Sequence, residues 1–135
     1  MCSSDLAAYC WGNNADGELG DGTTTTTPTP VAVSGGLTFA AVSAGFYHTC
    51  GVTTAGPAYC WGYNGNGQLG NGATTSSPMP VAVTGGLTFA AVSVEQFGAC
   101  GVTTAGAAYC WCDNTYNQLG NRGTPINTTT PVRVW

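Results

Sequence analysis

Short apolar runs alternate with polar, Gly- and Pro-rich stretches along the whole chain. No window carries the sustained period of about 3.6 residues that marks an amphipathic helix. The run "LTFAAVSAG" from Leu37 is small, apolar and β-branched, as expected of a buried inner strand. "HTCGVT" from His48 and "PAYCWG" from Pro57 flank "TAG", where Gly56 suits the left-handed position of a short hairpin loop. "PVAV" from Pro30, and again from Pro80, follows a Thr-rich connection and opens on Pro, as an outer or edge strand can. The expectation is therefore four short strands in each stretch of about fifty residues.

The same pattern returns. Shifted by fifty positions, Cys10, Trp11, Leu19 and Gly20 fall on Cys60, Trp61, Leu69 and Gly70, then on Cys110, Trp111, Leu119 and Gly120. "GGLTFAAVS" from Gly35 recurs unchanged from Gly85, and "CGVTTAG" from Cys50 recurs from Cys100. "PVRV" from Pro131 is a third outer-strand signal, after a one-residue insertion. The array divides into a truncated unit (1–34) and two whole units (35–84 and 85–135). A period near fifty indicates a solenoid or propeller, and four strands per unit match a propeller blade. The expected fold is all-β, a partial β-propeller forming a single repeat array.

Composition narrows the partners. Charged residues make up 6% of the 135-residue chain, with net charge −4. The only side-chain cations besides His48 are Arg122 and Arg133, too few to neutralise a phosphate backbone or to dock on an anionic membrane. Nucleic acid and membrane insertion are thus not expected, the latter because no apolar run reaches a membrane span. Met1 runs directly into "CSSD", so no signal peptide is read here.

Seven cysteines are many for this length and suggest disulfides made in an oxidising, extracellular or cell-surface setting. With "TAG" as the loop, Cys50 faces Cys60 across the hairpin, and Cys100 faces Cys110 by the same count. Cys2 and Cys10 oppose one another if their shorter turn centres on Leu6. Cys112 is left over. Zinc binding finds no CxxC spacing in support.

Other candidate chemistry is weak. Asn14, Asp16 and Gly17 loosely resemble a calcium loop, but Asp16, Glu18 and Asp21 become Asn66, Gln68 and Asn71 in the next unit. The Gly and Leu spacing persists instead, so the loop is read as a turn, with no metal or cofactor expected. His48 has Gly98 as its counterpart and is assigned to bonding the strand backbone rather than to catalysis. Glu95 stands alone, without the partner that paired-carboxylate chemistry needs. Repetition of Trp11, Trp61 and Trp111 favours packing between units. Phe46, Tyr47, Gln96 and Phe97 differ between units just after the inner strand, and are the candidate partner contacts near one mouth of the propeller. "NTT" at Asn127 is a glycosylation sequon, meaningful in a eukaryotic secretory host.

These residues resemble the regulator of chromosome condensation repeat. The pattern stands here as Gly45, His48-Thr49, Gly56, Tyr59, Trp61-Gly62, Asn64, Gly67-Gln68-Leu69-Gly70 and Pro80-Val81. Almost the whole chain is covered. The paired cysteines look like the secreted bacterial variety of these repeats. The third unit departs from the pattern, with Glu95 for Gly45, Gly98 for His48 and Cys112 for Gly62. The resemblance implies a propeller of roughly seven blades, of which this chain would be a piece, or which it would approach by self-association. Family members include exchange factors, ligase modules and an inhibitor of β-lactamase, so the fold does not name the function. The expectation is a non-catalytic protein-binding or scaffold module, with no enzyme activity of its own. The alternative is an inhibitor or accessory domain acting on another enzyme.

Overall fold

A computed structural model describes residues 1–120 and 127–134. Arg122 and Trp135 lie outside the described residues. The chain forms three antiparallel sheets, with no helix among the described residues. The first has three strands in the order β1 (Cys2–Asp5), β2 (Ala7–Gly12), β3 (Thr27–Ala32). The second runs β4 (Phe39–Ala44), β5 (His48–Thr53), β6 (Ala58–Gly62), β7 (Ser77–Ala82). The third repeats it as β8 (Phe89–Val94), β9 (Gly98–Thr103), β10 (Ala108–Asp113), β11 (Asn127–Arg133). The sheets stack face to face without closing, which is a partial β-propeller.

The hairpin register follows the cysteines. Cys50 pairs with Cys60, Cys100 with Cys110 and Cys2 with Cys10, each pair directly opposed. All three pairs are disulfide-bonded, with Cα separations of 4.1, 4.0 and 4.0 Å. The first hairpin turns at Leu6, which takes a left-handed φ of 75° where the other units use longer Gly-containing loops. Cys112 is free and buried.

Two expectations change. The run "LTFAAVSAG" is not a buried strand: β4 starts at Phe39, and Ala40, Ala41 and Ala44 are exposed. It forms the inner edge of its sheet, so only Phe39, which points between sheets, is fully buried, with Val42 partly covered beside it. The outer strands begin earlier than the Pro-Val step, at Thr27, Ser77 and Asn127. A bulge between Cys10 and Gly12, repeated between Cys60 and Gly62, lengthens the pairing. Pro is tolerated there because the strand is an edge with no outer partner to lose.

The sheets are joined by an indole. Trp61 is fully buried, and its Nε1–H donates to the Glu18 carbonyl of the preceding turn at 2.9 Å. Trp111 does the same to the Gln68 carbonyl, also at 2.9 Å. Each indole lies against a glycine of that turn; a methyl on Gly20 would sit 2.7 Å from Trp61 Nε1, and one on Gly70 would sit 2.8 Å from Trp111 Nε1. Leu19 and Phe39 complete the first inter-sheet core around Trp61; Leu69 and Phe89 complete the second around Trp111. Trp11 has no such turn before it among the described residues and is partly exposed.

Truncating these indoles tests the coupling. Trp61→Phe removes one donor, yet Thr49 Oγ1 still donates to the Glu18 carbonyl at 2.9 Å. At Trp111 the equivalent of Thr49 is Ala99, which has no hydroxyl. Trp111→Phe should therefore destabilise by more than Trp61→Phe, each by about 1–3 kcal/mol in urea unfolding. Equal losses would contradict the assignment of the shared carbonyl.

Candidate functional site

The repeated Asn and Gly loop is a closed hydrogen-bond knot. Asn14 Nδ2 donates to the carbonyls of Thr23 and Thr25 at 3.0 and 3.2 Å, and its Oδ1 accepts Leu19 N–H at 2.9 Å. Asn64 repeats this with Ala73, Thr75 and Leu69 at 2.9, 3.1 and 2.9 Å. Asn114 accepts Leu119 N–H at 3.0 Å. The amide's polar atoms are thus spent on the loop's own backbone, which is what the calcium-like spacing encodes. The knot was missed from sequence, although Asn stands at the same place in every unit. No group of three or more His, Cys, Asp or Glu is placed to hold a metal among the described residues.

Glu18 and Gln68 cap the same turn. Glu18 Oε2 accepts Asp16 N–H at 2.9 Å, and Gln68 Oε1 accepts Asn66 N–H at 2.9 Å. Both side chains are buried. Burial raises the Glu18 pKa, outweighing its hydrogen bonds to backbone N–H groups and to Asn13.

His48 is fully buried, and its Nε2–H donates to the Gly98 carbonyl of the next sheet at 3.2 Å. Its Nδ1 meets no partner. Desolvation lowers its pKa to about 4, so the ring is neutral at physiological pH and ties backbone, as the sequence suggested. Across the hairpin His48 opposes Gly62, whose φ is 107°. A methyl on Gly62 would lie 2.6 Å from the Tyr47 carbonyl. In the third sheet the pair is inverted: Gly98 opposes Cys112, which adopts φ 90°. The side chain has moved from one strand to the other, and the Cys112 thiol reaches the Asn66 carbonyl at 3.3 Å. The two departures of the third unit are therefore one exchange.

The exposed chemistry gathers at one mouth of the stack. The turns between β4 and β5 and between β8 and β9 are closed by Gly45 N–H to His48 O at 2.9 Å and Glu95 N–H to Gly98 O at 2.8 Å. They hold Phe46, Tyr47 and Phe97 at 75%, 42% and 47% exposure, with Gln96 also exposed. Tyr47 and Phe97 line an open groove of about 320 Å3 with Tyr63, Asp16, Asn66 and Gln68. Phe46 and Gln96 line an adjoining hollow with Glu95. The rings touch: Phe46 to Tyr47 at 6.4 Å and Tyr47 to Tyr63 at 6.3 Å between centroids. The four sequence-predicted contact residues thus share one face. Tyr63 and Asp16 were not foreseen; their signal is that Tyr63 stands where the other units have Asn13 and Asp113.

Residues 7–52 and 55–103 match the regulator of chromosome condensation (RCC1) repeat, and residues 39–68 match a second form of it. The chain belongs to the RCC1 repeat family. Human WBSCR16 superimposes with TM-score 0.85 at 19% identity, over 99% of this chain and 36% of that one. Prp20p of Saccharomyces cerevisiae gives 0.79 at 19%, over 100% and 38%. The ectodomain of the Physcomitrella patens receptor kinase CR4 gives 0.51 at 28%, over 82% and 25%. The chain spans about a third of the first two. A search of curated proteins returned no match. In RCC1-repeat terms, the indole clasp and the Asn knot are the repeat's architecture, and the mouth residues are where its copies diverge.

Two measurements check this division. Glu18→Gln should raise the melting temperature at pH 7 by about 1–3 °C, because it removes a buried carboxylate that resists ionisation. The folded pKa is raised, so the gain should vanish below the unfolded value of 4.5, where both states are protonated. A gain that persists there would point to packing instead. Burial also pushes the Cys112 thiol up to about 12. Iodoacetamide at about pH 8 should leave Cys112 unmodified in the folded chain and modify it once the chain is denatured.

Proposed function

We propose that this chain is a non-catalytic protein-binding or scaffold module whose contact face is the mouth carrying Phe46, Tyr47, Gln96 and Phe97. The observation that carries it is the contrast between buried and exposed chemistry. His48, Glu18 and the repeated Asn side chains are committed to holding the repeat together, while exposed aromatics cluster on one rim. Clustered exposed aromatics of this kind favour a macromolecular partner. Relatives of the same fold bind proteins: yeast RCC1 (Prp20) was solved with Kap60 bound, at 21% identity and TM-score 0.81, and Prp20p has binding properties toward Gsp1p and histones.

The setting we infer is extracellular or cell-surface. Three disulfides favour an oxidising compartment, and the CR4 relative is an ectodomain. We further infer that the units 1–34, 35–84 and 85–135 belong to a larger propeller, or that copies associate. Val52 is buried at 3% exposure by the next sheet, whereas its counterpart Val102 is 46% exposed. Gln118 and Gly120 of the third turn are exposed, whereas Gln68 and Gly70 are covered by Trp111.

Light scattering on the purified chain should show association at micromolar concentration; a soluble monomer with a sharp melting transition would overturn that inference. For the contact face, replacing Phe46, Tyr47, Gln96 and Phe97 with Ser should leave the fold intact by circular dichroism. It should also abolish affinity capture of a protein partner that the parent chain retains. Unchanged capture would refute the assignment of the face.

A further inference from the structure

The mouth has a chemical bias beyond its aromatic character. The groove and the two hollows beside it are lined by three carboxylates, Asp16, Glu95 and Asp113, and by no cationic side chain among the described residues. Phe97 belongs both to the groove with Asp16 and to the hollow with Glu95 and Asp113, so one ring joins the surroundings of all three acids. Among the described residues, no cation is paired with these acids. Asp113 is held ionised by Thr115, whose N–H and Oγ–H donate at 2.9 and 2.6 Å, and by Gln118 Nε2 at 3.2 Å.

The rings are also held in place before any partner arrives. Tyr63 is half-buried, its N–H bonded to the Tyr47 carbonyl at 2.8 Å. Its hydroxyl lies directly over Gly65, where a methyl would collide with it. Tyr47 meets it edge-on, at 60° between the ring planes. A groove walled by Tyr47, Tyr63 and Phe97, with Asp16 in its lining and Glu95 and Asp113 in the hollows beside it, matches a long side chain that carries a cation on an apolar stem.

Building on the reading of this mouth as a contact face, we propose that it recognises a basic segment of a partner protein. A Lys or Arg side chain lies along Tyr47, Tyr63 and Phe97 with its charge toward Asp16. Glu95 and Asp113 serve neighbouring basic residues of the same segment. The low charge of the rest of the chain makes this face its most directed electrostatic feature, which favours encounter as well as retention. Arg has the further advantage that its planar head stacks on aromatic rings.

Selection from a random dodecapeptide library displayed on phage, with the intact chain as bait, tests this directly. Recovered peptides should be enriched in Lys and Arg. A synthetic copy of one should bind about three- to tenfold more weakly to Asp16→Asn and to Tyr47→Ala. Its binding should also weaken as salt is raised, and should be lost when its Lys and Arg are replaced by norleucine and citrulline. Asp16→Asn has a built-in structural precedent, since Asn66 occupies that place in the next unit. Tyr47→Leu serves where Tyr47→Ala lowers the melting temperature. Peptides that lose binding to Tyr47→Ala and Phe97→Ala but show no basic enrichment, or are indifferent to Asp16→Asn, overturn the basic-segment proposal and leave the contact face standing. Failure to recover any binder, or binders indifferent to every mouth variant, overturns both.

Discussion

The indole N–H that reaches from one sheet to a turn carbonyl of the sheet before it is the interaction on which the assembly depends. Without it, each sheet is a small disulfide-stapled hairpin with one or two added strands and an apolar face, too little to bury a core alone. Trp61 and Trp111 supply both the largest buried side chains and a directional bond at 2.9 Å to Glu18 and Gln68. The bond constrains the turn as much as the indole. Gly20 and Gly70 have no room for a side chain beneath the ring and take φ of 73° and 63°. The Asn knot then holds the turn in the shape that presents its carbonyl. A chain of dependencies thus runs from Asn to turn to Trp to the next sheet, and it accounts for most of what repeats.

Because the repeating residues are occupied with this task, function is left to positions that do not repeat. The third unit shows how narrow the freedom is. Gly98 and Cys112 replace His48 and Gly62 as an inverted pair, keeping one side chain and one glycine across the same rung. The cost is a cysteine at φ 90°, and the tie from His48 to the next sheet has no counterpart from Gly98. The turns between the inner two strands carry no such obligation beyond two backbone bonds each: one closing the turn, and one from the carbonyl of Tyr47 or Phe97 to the N–H of Tyr63 or Asp113. There Phe46, Tyr47, Gln96 and Phe97 diverge and face solvent. Family membership identifies the scaffold; the identity of the partner resides in these few loops.

The sequence by itself determined the strand order within each unit, the disulfide register and the repeat. These are local: residue spacing across a two-stranded hairpin is set by the loop, so opposing cysteines can be counted without knowing anything distant. It also marked Gly20, Gly70 and the indoles as structural, because copies of a module retain what the backbone requires. Tertiary structure decided the rest. That β4 is an exposed inner edge rather than a buried strand depends on which neighbour covers it, and composition cannot report that. The bulge beside Gly12 and Gly62, which extends the outer strands, arises from fitting two strands rather than from either alone. The mouth required three sheets at once: Asp16, Tyr63 and Phe97 are far apart in sequence and belong to different sheets, and only stacking brings them to one groove. Hydrogen bonding within a turn is legible in a short window of residues, whereas a shared surface is a property of how the windows are arranged in space.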